Sequence, residues 1–129
     1  MKRRILSLAL ILVLLCALSG CEIQMLDSNA AGTIMYTYGD VTFTDTLSAA
    51  EVAEAAKILN GKITFADYPA CGFDEDISFT IDGVTFALAC DKCGLVKNCD
   101  TGLYITISEA QRAVLEAMFT SRGGRFPCV

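Results

Sequence analysis

The clearest hydrophobic pattern lies in residues 77–90. Apolar side chains recur at every second position through Ile77, Phe79 and Ile81, and again through Val84, Phe86 and Leu88, on either side of Asp82-Gly83. Alternation of period two is the mark of a half-buried strand, and Asp-Gly between two such runs favours a two-residue type I′ turn. Setting Ile81 opposite Val84 pairs Phe79 with Phe86 and Ile77 with Leu88, so all six fall on one face, which Cys90 continues. Upstream, Ile34, Tyr36 and Tyr38, then Val41 and Phe43, alternate around Gly39-Asp40 and predict a second hairpin. Leu103, Ile105 and Ile107 predict one more strand.

Two stretches change to helical spacing. Ser48-Ala49-Ala50-Glu51 is a capping box, Leu47 and Val52 occupy the staple positions, and Val52, Ala55, Ala56 and Leu59 form an apolar stripe that Asn60-Gly61 ends. Ser108 with Gln111 repeats the box before a stripe of Val114, Leu115, Met118 and Phe119, stopped by Gly123-Gly124. The expected order is β-β-α-(β)-β-β-β-α, the bracketed strand falling between the first helix and Ile77. This is a small α+β fold, an antiparallel sheet with two helices packed on one face. Residues 22–32 lack sustained periodicity and read as a short tether, leaving 33–129 as the single domain.

The first residues belong to another kind of segment. Met1-Lys2-Arg3-Arg4 is followed by an almost wholly apolar run over residues 5–18, broken by Ser7. A basic start before a short apolar run is the pattern of an export signal. Leu18-Ser19-Gly20-Cys21 then resembles the lipobox of bacterial lipoproteins. That resemblance implies a signal peptide over residues 1–20, cleavage before Cys21, a diacylglyceryl group on its thiol and often an acylated new amino terminus. Two or more acyl chains anchor stably where one binds marginally. The resemblance places the mature protein on the extracytoplasmic face of a cell membrane, and Cys16 leaves with the signal.

Charge and composition narrow the task of the domain. The signal holds three of the ten basic residues and none of the fifteen acidic ones, so seven basic residues would face fifteen acidic in the mature chain. That surface repels phosphate backbones, and no nucleic-acid partner is expected. The chain has no histidine. Ser-His-Asp and Cys-His nucleophile systems, the H-E-x-x-H zinc helix and C-x-x-C-H haem attachment are therefore excluded. Asp74, Glu75 and Asp76, and Asp91 and Asp100, read as solvated loop charges rather than a catalytic pair. Tyr36, Tyr38 and Tyr104 read as sheet packing, and Tyr68-Pro69 as an exposed loop.

Cysteine is the remaining signal. Five of seven cysteines lie beyond the lipobox, at positions 71, 90, 93, 99 and 128. In an exported chain of this size such density indicates disulfides, and an odd count leaves one unpaired within the chain. Cys90 continues the apolar strand face and is the expected odd residue. Cys71, Cys93, Cys99 and Cys128 then supply two bridges, with Cys93–Cys99 and Cys71–Cys128 the preferred pairing and Cys90–Cys99 a rival. The C-x-x-C of Cys90 and Cys93 also admits thiol redox chemistry, although no helix follows it to activate a thiolate. With Cys99 and either Cys71 or Cys128 it could form a four-thiolate zinc site. The sequence favours neither. It favours a non-enzymatic binding or interaction module with no catalytic residue, metal or cofactor, held to the membrane through Cys21 and presenting residues 90–102 and 68–76 to an unknown protein or small ligand. Thiol redox or metal handling through Cys90 and Cys93 is the alternative.

Overall fold

The structure, a computed structural model, describes Ser7, Leu10, Ile11 and residues 22–126. The lipobox, Cys16, Cys21 and Cys128 lie outside the described residues. Strands β1 (Gly32–Tyr38) and β2 (Val41–Thr46) precede helix α1 (Ala49–Leu59); strands β3 (Ser78–Ile81), β4 (Val84–Leu88), β5 (Leu95–Asn98) and β6 (Tyr104–Thr106) precede helix α2 (Glu109–Thr120). The six strands form one antiparallel sheet in the order β2-β1-β3-β4-β5-β6. The fold is the expected α+β class.

Local chemistry accounts for most of this. Asp82 and Gly83 take φ of 53° and 75°, the left-handed pair that a type I′ turn requires, and Ile81 faces Val84 with Phe79 facing Phe86. Both capping boxes close: Ser48 Oγ accepts from the Glu51 amide, Ser108 Oγ from the Gln111 amide, and each N3 side chain accepts from its cap amide. Ile34, Phe79, Phe86, Leu88, Val96 and Ile105 lie on one face of the sheet. They are fully buried there beneath α1 and α2, with Phe79 stacked on Phe86 at 5.5 Å and Phe119 of α2 set edge-on to Phe79 at 6.4 Å.

Four expectations need correction. The bracketed strand is no strand: that segment makes isolated bridges, Ile63 to Ile23 and Phe65 to Tyr104. Residues 95–98, expected within a loop, form β5 instead. Val96 points into the core and Asn98 is buried, its Nδ2 donating to Gln24 Oε1 at 3.1 Å. In α2, Val114 is 42% exposed and Arg112 takes the inward position in line with Leu115 and Phe119.

Residues 22–26 are not a tether. They run antiparallel to 60–64: the Gln24 amide donates to Lys62 O at 2.8 Å and the Thr64 amide to Glu22 O at 2.7 Å. The Glu22 amide donates to Thr64 Oγ1, and the Asn60 side chain grips both backbone groups of Leu26, accepting at 2.6 Å and donating at 3.0 Å. Leu26 sits in the core. The ladder leaves no slack from Glu22 onward.

One charge cluster ties the helices to the β2 side. Arg122, just past α2, donates to both oxygens of Glu51 at 2.7 and 2.9 Å and to Asp45 of β2 at 2.8 Å. The guanidinium holds the Glu51 carboxyl at about 2, far below its ordinary value, and lowers that of Asp45 as well. Among the described residues no helix is long and apolar enough to cross a membrane.

Candidate functional site

The connection from β4 to β5 builds the site. Ala89 and Cys90 are buried at the end of β4, and the chain then turns outward through exposed Asp91, Lys92 and Cys93. Asp91 Oδ1 accepts from the Cys93 amide at 3.1 Å, an Asx turn that orders the reversal. Gly94 closes it at φ 68°; a Cβ there would stand 3.0 Å from Ile107 O, which fits glycine on both counts.

A second segment braces this turn. Residues 66–76 cross the sheet face opposite the helices, where Phe73 packs on Tyr104 at 5.6 Å and the Cys90 amide donates to Gly72 O at 2.9 Å. Cys71 and Cys93 are joined by a disulfide with Cα atoms 6.4 Å apart. Of the two segments expected to present a partner surface, 68–76 and 90–102, the disulfide joins the first to the 90–94 turn of the second, while residues 95–98 are strand β5.

The expected pairings differ from this. Cys93 bonds Cys71, so neither Cys93–Cys99 nor Cys71–Cys128 forms. Strand β5 is the reason for the first: four extended residues separate the ends by roughly 13 Å, far beyond disulfide reach. Cys99 instead is a half-buried free thiol beside a hollow of about 210 Å³ on the second face, near Thr80, Thr85 and Glu75, where burial pushes its pKa up. Cys90, expected to be the odd residue, is disulfide-bonded. Cys90 and Cys93 are therefore not a dithiol pair in this state. Cys71, Asp91 and Cys93 place their ligand atoms within 4.8 Å of one another, but disulfide sulfurs offer no thiolate to a metal.

Between the 90–94 turn, the first half of α2 and Phe126 lies a groove of about 760 Å³. Ile107, Ala113 and Phe126 give it apolar walls, while Asp91, Lys92 and Glu109 stand at its border. Arg112 lines it from α2, 7% exposed: Nη1 donates to Ala89 O at 2.7 Å, Nε lies 3.6 Å from Glu116, and the guanidinium sits 5.8 Å from the Phe126 ring centroid. That combination satisfies a buried cation by a carbonyl, a carboxylate and an aromatic face. Arg112 thereby fixes α2 to the end of β4 and helps seat Phe126.

The sequence reading missed Arg112, Glu116 and Phe126 as site residues. One signal was present: Arg112 precedes Leu115 by three residues and Phe119 by seven, the spacing of an inward helical position. The charged side chains that line the groove are three carboxylates, Asp91, Glu109 and Glu116, against Lys92 and Arg112. Compared with known families, curated proteins and solved structures, the chain matches none of them.

Proposed function

We propose that the protein is a lipoprotein anchored through Cys21 on the extracytoplasmic face of the cell membrane, whose domain is a non-enzymatic binding module. The single observation that carries the binding reading is the groove of about 760 Å³ whose border turn is held by the Cys71–Cys93 disulfide. A rigid concave site with apolar walls and few polar groups is what small-ligand sites share. The anchoring rests on the lipobox resemblance, and a disulfide fits an oxidising compartment. Its ligand is a small molecule or peptide end with an apolar body and a basic group.

The test is a titration of the full mature protein with the apolar fluorophore N-phenyl-1-naphthylamine, followed by displacement with a series of alkylamines. Saturable binding, displaced by amines and abolished by Ala113→Trp without a lower melting temperature, supports the groove. Binding unchanged in Ala113→Trp would remove the groove from the proposal. Ala113 is exposed on α2, so the bulkier side chain fills the groove rather than the core.

A second reading, thiol redox or metal handling by Cys90 and Cys93, draws on exposed Cys93 and its neighbours Cys71 and Asp91. It requires both the Cys71–Cys93 bond and the disulfide of Cys90 to be reduced first. Zinc bound by the reduced protein and absent from the oxidised one, with thiolate charge-transfer absorption on substitution by cobalt, would favour it over the groove.

A further inference from the structure

Ile23, Met25 and Ile63 are large apolar residues that the fold pushes outward, at 64%, 68% and 64% exposure. Their neighbours explain the arrangement. In the ladder of residues 22–24 with 62–64, the Gln24 amide donates to Lys62 O and the Thr64 amide to Glu22 O. Ile23 and Ile63 therefore face each other as the non-hydrogen-bonded pair, the closer kind, with side chains on the same side. Met25 follows Ile23 by two residues and joins that side. Gln24, Leu26 and Thr64 occupy the other side and are buried. A patch of three apolar side chains thus results from a ladder that hydrogen bonds and Leu26 hold in place.

The position of the patch decides what covers it. Glu22 is already bonded to Thr64 through its amide and its carbonyl, at 3.0 and 2.7 Å. Cys21 is joined covalently to Glu22, and consecutive Cα atoms stand about 3.8 Å apart. Acyl chains on Cys21 would therefore enter the bilayer two residues from Ile23, with no flexible spacer between anchor and domain. A domain held that tightly must present to the membrane the surface around Glu22. That surface carries three exposed apolar side chains, Ile23, Met25 and Ile63.

We infer that Ile23, Met25 and Ile63 form the membrane-contact face of the domain, seated in the headgroup–acyl boundary of the bilayer that carries the Cys21 anchor. This rests on the anchoring reading and deepens it: the lipoprotein is docked in a fixed orientation, not tethered at random. The β1–β2 hairpin, with its own exposed Tyr38, Val41 and Phe43, belongs to a separate border of the sheet and is not part of this contact.

The chain has no tryptophan, so single tryptophans report their own positions without background. Full-length Ile23→Trp, Ile63→Trp and Phe43→Trp variants would be processed in a bacterium, purified and reconstituted in phosphatidylcholine vesicles brominated near the top of their acyl chains. Intact mass measures the lipid on Cys21. With the lipid present, blue-shifted emission and strong bromine quenching at positions 23 and 63, with little at position 43, supports the inference. No quenching at 23 and 63 in lipid-bearing protein overturns it and leaves the anchor standing. Equal quenching at all three positions overturns the fixed orientation. A mass without lipid overturns the anchoring reading and the docked orientation with it.

Discussion

Strand β2 leaves its outer border bare, with all six residues exposed, whereas β6 at the opposite border is covered. Tyr104 of β6 exchanges both backbone hydrogen bonds with Phe65, at 3.0 and 2.9 Å, and residues 60–64 in turn pair with the N-terminal arm. An unpaired strand edge is a template for association, and proteins blunt it or cover it. This chain does the second at β6 and leaves β2 with one carboxylate, Asp45, fixed by Arg122. Covering a border with irregular chain costs conformational entropy for every ordered residue. That cost explains why the cross-links gather on the β6 side: the Cys71–Cys93 bond, the Asn60 grip on Leu26 and the Gln24–Asn98 pair. The groove and the exposed apolar patch of Ile23, Met25 and Ile63 both border these ordered segments, so both proposed contacts draw on the irregular half of the molecule.

Removing the disulfide should separate the two borders most strongly. A double Cys71→Ser, Cys93→Ser variant loses a bridge spanning 22 residues, a contribution of about 3 kcal/mol. For a domain this size the melting temperature should fall by on the order of 15 °C. Hydrogen exchange should quicken at the amides of residues 90 and 93, which donate to Gly72 O and Asp91 Oδ1, while β1 and β2 stay as they were. An unchanged melting temperature would mean that Phe73 and the Cys90–Gly72 hydrogen bond hold the segment unaided.

The next effect should come from Asn60→Ala. This leaves the Leu26 amide and carbonyl without their partner in a partly buried place, a loss of about 1–2 kcal/mol. Exchange at the Gln24 and Leu26 amides should rise before any other site. If the arm stays protected, the Glu22–Thr64 bonds and the burial of Leu26 are enough to dock it.

The same contrast separates what could be read in the sequence from what could not. The 77–90 hairpin and both helices were legible because their determinants are local: a positive-φ Asp82-Gly83 pair, two capping boxes and a period that names the buried face. The β6 side was not, because its determinants are distant. The Asn98 side chain accepts locally from the Asp100 and Thr101 amides, but its buried Nδ2 is met only by Gln24, 74 positions away. Cys71 meets Cys93 only because residues 66–76 fold back over the sheet. Gln24 and Leu26 do alternate with Ile23 and Met25, but so short a run carries no partner, and Ile63 supplies it only in three dimensions. Arg112 in place of Val114 follows the same rule, since Ala89 O and Phe126 give the arginine its inward position.

On the β2 side, Arg122→Ala should cost about 1 kcal/mol at neutral pH, the scale of a partly exposed ion pair. Acid should have the same target. Glu51 ionises at about 2 when folded against an ordinary 4.5, so its contribution is complete above about pH 4.5 and disappears as pH falls through 2. Melting temperature followed from pH 6 to pH 2 should therefore drop over that window in the parent protein and drop less in Arg122→Ala. Equal slopes would place the acid sensitivity elsewhere.

The smallest effect divides the cluster between its two carboxylates. Glu51 receives two hydrogen bonds from Arg122 and also accepts from the Ser48 amide at 2.8 Å, so it belongs to the capping box and the clamp together. Asp45 receives one from Arg122, and its own side chain is 53% exposed, so the pair is well screened by water. Glu51→Gln should then remove most of the acid-dependent loss of melting temperature, and Asp45→Asn should change it barely, in the same direction. A larger effect from Asp45→Asn would mean that the bare border, not the helix start, is what Arg122 chiefly secures. The comparison of the two borders would then shift, with β2 guarded by charge as firmly as β6 is by pairing.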